Sequence, residues 1–186
     1  MSTAAETLFA PLAIVTAPDS SKPILEQIQK CYRFIPNLMA ILANSPTALQ
    51  GYLALDAIWE DGSFPPWERQ LILLAASVEN ECNYCVAVHS SIAKNALHIP
   101  TQIISAIADN TSLTDGKLNA LICLVKELVR ERGYASEASL KNFIAVGYRK
   151  EQVMELLLAI ALKTISNYLD HISPAPIDPA FAAENR

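Results

Sequence analysis

Leu118, Leu121, Ile122, Val125, Leu128 and Val129 recur at helical spacing, and no stretch of the chain alternates apolar and polar residues as a half-buried strand would. That pattern restricts the chain to packed helices. Only 5 of its 186 residues are glycine and 52% are hydrophobic, a balance suited to helices that also bury surface between subunits. The length is that of one domain with a proper core.

Helix boundaries follow from prolines and caps. A first helix is expected from Lys22 or Pro23 to Phe34, ended by Pro36. A short helix lies within Ile35–Ser45, and Ser45-Pro46 then starts another, running to about Trp59 and stopping at Asp61-Gly62. Trp67 to Val78 carries Leu71, Leu74, Ala75 and Val78 on one face. The polar Glu79-Asn-Glu81 breaks that helix, so Cys82 begins a new one reaching about Ala96. Further helices are expected at Thr101–Ala108, along the Leu118–Val129 stripe, at Ser136–Val146 and at Lys150–Leu169. The chain divides into an N-terminal arm (1–22), a helical domain (23–172) and a C-terminal tail (173–186) expected to lie on a neighbour. An echo at an offset of 50 residues, such as Leu71-Ile72 against Leu121-Ile122, raises a duplicated helical unit.

A net charge of −5 gives no basic face for nucleic acid. The start of the chain lacks the basic and long apolar regions of a signal peptide, and the apolar run Leu156–Leu162 is too short to cross a bilayer. A soluble, cytoplasmic protein is expected. In that compartment a C-x-x-C speaks for redox or metal chemistry.

The chemistry concentrates in Glu79-Asn-Glu-Cys-Asn-Tyr-Cys-Val-Ala-Val-His89. On a helix Cys85 and His89 are one turn apart and Cys82 and His89 two, so the three share a face. A helix start favours a thiolate, a second thiol can close a disulfide, and an adjacent histidine can move the proton. Tyr84, between the cysteines, either packs or hydrogen-bonds at the site. Buried inert cysteines and a zinc site completed by His98 or His171 are the competing readings, the latter lacking motif spacing. Cys31 and Cys123 stand alone on apolar helix faces and read as core residues.

With Glu68-Arg-Gln-Leu-Ile-Leu-Leu-Ala-Ala-Ser-Val78 and Glu81-Cys-Asn-Tyr-Cys-Val-Ala-Val-His89, the chain resembles the alkylhydroperoxidase D-like, peroxidase-related branch of the carboxymuconolactone decarboxylase family. Ile35-Pro-Asn-Leu38, Ala43-Asn-Ser-Pro46, Asn167-Tyr-Leu-Asp-His171 and Pro176-Ile-Asp178 extend the resemblance over most of the chain. It implies an all-α, AhpD-like bundle assembled as a homotrimer or homohexamer. It also implies reduction of hydroperoxides by a dithiol reductant, a lipoyl or thioredoxin-like protein, without organic cofactor or metal. Cys85 maps to the attacking thiol, Cys82 to the resolving thiol and His89 to a proton relay. The relay glutamate of the family falls at Gln70, which takes no proton. Glu81 is a candidate for the surroundings of the site, and Glu68 and Glu79 are read as solvent-facing. The alternatives are a redox-responsive interaction protein without turnover and a decarboxylase-like enzyme.

Overall fold

A computed structural model describes residues 8–184. Within them nine α-helices and no strands form the fold: α1 (Lys22–Tyr32), α2 (Asn37–Leu42), α3 (Pro46–Glu60), α4 (Pro66–Glu79), α5 (Asn83–Ser91), α6 (Thr101–Ala108), α7 (Gly116–Arg130), α8 (Glu137–Ala145) and α9 (Lys150–Ile172). A π-turn, Ile92–Ala96, prolongs α5, so the expected end near Ala96 holds with a change of helix type. Two short 3-10 turns, Ile14–Thr16 and Pro179–Glu184, flank the helices. Residues 1–7 of the expected arm and 185–186 of the tail lie outside the described residues.

Local chemistry sets most boundaries. Ser45 caps α3 by accepting from Ala48 N at 3.3 Å, with Pro46 in the first turn. Asp115 and Ser136 cap α7 and α8 in the same way. Arg33, at φ 70°, closes α1 in the left-handed conformation ahead of Pro36. The 50-residue echo reappears in the helices themselves, since α4 begins at 66 and α7 at 116.

Helix α4 is the hub. Gln70 through Ser77 are buried without interruption, because α4 is enclosed by α5, α6, α7 and α9. A helix apolar around its whole circumference needs such a setting. Leu71, Ile72 and Leu74 join Leu121, Leu124 and Val125 of α7 and Leu156, Ala159 and Leu162 of α9 in one core. At its C-terminal end Glu81 adopts φ 57°, and this left-handed turn starts α5 beside α4.

The described residues of the tail run back over their own chain. Ser173 Oγ donates to Phe9 O at 2.6 Å, Ala175 N to Asp170 Oδ1 at 2.9 Å, and Asn37 Nδ2 to Pro176 O at 2.9 Å. Lys94 pairs with Glu184 at 2.8 Å. These contacts bring Phe181 against Phe34, with ring centroids 5.9 Å apart, next to the CxxC helix.

Candidate active site

Cys82 is the N-cap of α5. In extended conformation its Sγ accepts from Cys85 N at 3.3 Å, the task a serine or aspartate oxygen usually performs. Asp170 Oδ2 lies 3.4 Å from its Sγ, and Cys82 is fully buried. Cys85 sits three residues further on, in the first turn, where free backbone N–H groups favour an anion. Both thiols are free.

The two thiols are electrostatically unequal. Burial pushes Cys85 up, but the hydrogen bond with Cys82, the Lys163 charge and the Asn167 amide together bring it down to about 6, against an opposing push from Asp170. Cys82 moves the other way. Its hydrogen bond with Cys85, burial, and the charges of Cys85 and Asp170 keep the proton on it. Asn167 is fully buried, its Oδ1 accepts from Asn80 Nδ2 at 3.0 Å, and its Nδ2 has no conventional hydrogen-bond acceptor. That leaves the amide available to a sulfur anion.

A cavity of about 390 Å³ opens beside Cys85, and Cys82 is not among its lining residues. Tyr32, Phe34, Tyr52, Tyr84 and Phe181 provide aromatic wall, with Leu38, Met39 and Leu73 between them. The polar end consists of Gln70, His89 and Lys163 beside the thiol, and Asp56 and Glu60 also face the space. An apolar chamber with a few convergent polar groups is the usual form of a small-molecule site.

His89 lies between two nitrogen-bearing partners. Gln70 Nε2 is 2.7 Å from its Nδ1, and Lys163 Nζ is 2.8 Å from its Nε2. Burial and the Lys163 charge hold His89 well below its usual range, so the ring is neutral and carries one proton. An ammonium has donors only, so it must face the unprotonated nitrogen. Nε2 therefore accepts from Lys163 and Nδ1 carries the hydrogen. The Gln70 amide then satisfies the network with Oε1 toward Nδ1, giving up only a 3.4 Å contact to the His89 carbonyl.

The fold thus brings together four of the residues picked from sequence, Cys82, Cys85, His89 and Gln70. Tyr84 joins them as a latch. Its hydroxyl donates to Asp178 Oδ2 at 2.6 Å and accepts from Leu38 N at 3.4 Å, tying the CxxC to the tail. Glu81 does not join; it is exposed in the α4–α5 turn. Glu68, expected at the surface, is buried and accepts from Tyr148 Oη at 2.7 Å, while Glu79 pairs with Arg130 at 3.3 Å. Cys31 and Cys123, expected in the core, are exposed. The buried faces of their helices are already filled by Leu25 and Ile28, and by Leu121, Ile122 and Val125. His171 stacks on Tyr168, and among the described residues no group of three His, Cys, Asp or Glu could hold a metal.

Sequence reasoning gave no role to Lys163, Asn167, Asp170 or Asp178. The first three lie with Ser166 on one buried face of α9. The signal was present: four polar residues at i, i+3, i+4 and i+7, following the apolar run Leu156–Leu162, mark one face.

The helices define an all-α, AhpD-like fold. Residues 46–122, from the start of α3 into α7 and across the whole CxxC helix, match the carboxymuconolactone decarboxylase family. No curated protein matches it. Among solved structures it is similar to a peroxidase-related protein of Ralstonia eutropha with an alkylhydroperoxidase AhpD core, at 21% identity and a TM-score of 0.81 over 93% of each chain. A peroxidase-related protein of Silicibacter is similar over 100% of both chains, at 16% identity and a TM-score of 0.81. The debrominase Bmp8, in complex with 2,3,4-tribromopyrrole, is similar over 96% of both, at 18% identity and a TM-score of 0.80. At these identities the likeness concerns the fold. No helix among the described residues is long and apolar enough to cross a membrane.

Proposed function

We propose that the protein is a dithiol peroxidase that reduces apolar organic hydroperoxides. The observation carrying this reading is the division between the thiols: Cys85 faces the cavity and is acidified, while Cys82 stands behind it, protonated, 3.3 Å from the Cys85 amide. The Cys85 thiolate attacks the terminal peroxide oxygen, and the O–O bond breaks. The alcohol leaves and Cys85 becomes a sulfenic acid. Cys82 then displaces water from that sulfur to form the disulfide, with Asp170, at 3.4 Å, placed to assist loss of its proton. A dithiol of lipoyl or thioredoxin-like type returns two electrons and two protons. Assembly as a homotrimer or homohexamer in the cytoplasm belongs to the same reading. In its support, Met154, Leu157, Ile165, Tyr168 and Ile172 form an exposed apolar stripe along α9.

The test is hydroperoxide consumption with a dithiol reductant. Wild type turns over, Cys85→Ser consumes nothing, and Cys82→Ser consumes one equivalent and stops. Unchanged consumption by Cys85→Ser overturns the proposal. The aromatic wall favours one second reading, reductive removal of halogen from a small halogenated ring. Halide release that depends on Cys85, without peroxide turnover, would establish it. Loss of both activities with an oxidation-dependent change of assembly size would leave a redox-responsive interaction protein.

A further inference from the structure

We infer that Lys163 is the charge partner of the Cys85 thiolate and the proton donor to the leaving alkoxide, the proton-handling step for which Gln70 has no acid to offer. The inference rests on the dithiol peroxidase reading. Its basis is placement: Lys163 is 1% exposed, lines the same cavity as Cys85, and is held there by its 2.8 Å contact to His89 Nε2. A lysine is almost never buried to this degree unless paired. Neutral His89 supplies a hydrogen bond and no charge, so the anion opposite Lys163 has to come from elsewhere.

The ionisable groups facing the pair are Tyr32, Tyr52, Asp56 and Glu60 on α1 and α3, Cys82 and Tyr84 on α5, and Asp170 on α9. Burial and the neighbouring Glu60 push Asp56 up against the pull of the Lys163 charge, so Asp56 competes for the ammonium only in part. Glu60 is bound by Arg69 at 3.1 Å, and Asp170 is engaged by Cys82 and by Ala175 N. A glutamate at position 70 would set an anion against His89 Nδ1, on the opposite side of the ring from Lys163. A glutamine orients His89 without adding that anion, and the Lys163 charge is left to Cys85.

The proton ledger closes. The Cys85 thiolate takes the terminal oxygen of ROOH with its hydrogen, becoming S–OH. The bonding pair departs on RO⁻, which takes a proton from the Lys163 ammonium and leaves as ROH. Disulfide closure releases water, formed from the Cys82 hydrogen and the Cys85 hydroxyl. The incoming dithiol then returns two protons. One stays on Cys82 and the other passes to the Lys163 amine, restoring thiolate and ammonium. His89 is a positioning residue in this scheme.

The experiment measures the pH midpoint of Cys85 alkylation in a Cys31→Ser, Cys123→Ser background, with peptide mass spectrometry identifying the modified thiol. Lys163→Met is expected to raise the midpoint by about 1–3 pH units, the effect of a neighbouring opposite charge. Lys163→Arg is expected to keep the midpoint low, yet lower kcat/KM for hydroperoxide by about a hundredfold or more, because a guanidinium holds charge but does not release a proton. An unmoved midpoint in folded Lys163→Met, or full peroxide reduction by Lys163→Arg, overturns the inference. In wild type, imidazole ¹⁵N shifts must place the His89 hydrogen on Nδ1, and a spectrum placing it on Nε2 overturns the inference without any substitution. If wild type alkylates with a low, Lys163-dependent midpoint but consumes no hydroperoxide, the peroxidase reading fails and the charge pairing stands.

Discussion

Replacing Tyr84 by phenylalanine tests whether the residue between the two cysteines is a latch or only packs. The ring stays, so the aromatic wall is retained; the hydroxyl and its two hydrogen bonds go. The 3.4 Å contact from Leu38 N is long and worth little. The 2.6 Å bond to Asp178 is short and made to a carboxylate that is 4% exposed, a class worth about 1.5–3 kcal/mol. Asp178 keeps its bond from Asn37 N at 3.2 Å, so the carboxylate is not stranded and the lower half of that range applies, about 2 kcal/mol. The tail remains held by Ser173, Ala175 and Glu184, so the loss appears as local opening before global unfolding. Hydrogen exchange over residues 173–184 should accelerate about thirtyfold, which is 2 kcal/mol expressed as an equilibrium constant. Exchange in α7, remote from the latch, should barely change. Unchanged exchange in the tail would mean that Tyr84 merely packs, and equal acceleration everywhere would mean that the latch belongs to the global fold.

Other outcomes follow from the same geometry. Gln70→Glu should raise the alkylation midpoint of Cys85, because it adds a buried negative charge to the cavity that holds the thiolate; a midpoint that falls contradicts this electrostatic account. His89 is held neutral, so below its ordinary range the unfolded chain binds a proton that the folded chain refuses. Stability contributed at this site is therefore complete above about pH 6.5 and declines below it by up to about 1.4 kcal/mol per pH unit. Urea midpoints at pH 7 and pH 5 measure the slope, which His89→Asn should flatten. Charging the exposed α9 stripe with Ile165→Glu should shift an assembled protein toward monomer in light scattering; an unchanged mass would place the subunit contact elsewhere.

Local physics carried the helices and the motif. Periodicity of 3.6, a capping serine followed by proline, and polar breaks placed nearly all the helices within a few residues, since each signal acts within one or two turns. The register of Cys85 and His89, one turn apart on α5, was equally local, whereas Cys82 is the extended N-cap outside the helix and does not share their cavity face as its spacing had suggested. The outward facing of Cys31 and Cys123 was not local: each sits beside apolar neighbours, and only packing showed which face was already filled. Glu68 shows the same limit, its burial depending on Tyr148 from 80 residues away. Lys163 meets His89 across 74 residues, and Asp178 meets Tyr84 across 94. No spacing rule spans such distances. The sequence alone settled that this is a helical protein with a dithiol at a helix start. Tertiary structure decided which thiol faces the cavity, which polar groups of α9 are buried with it, and that the tail packs beside it, because burial and long-range contacts exist only once the helices have packed.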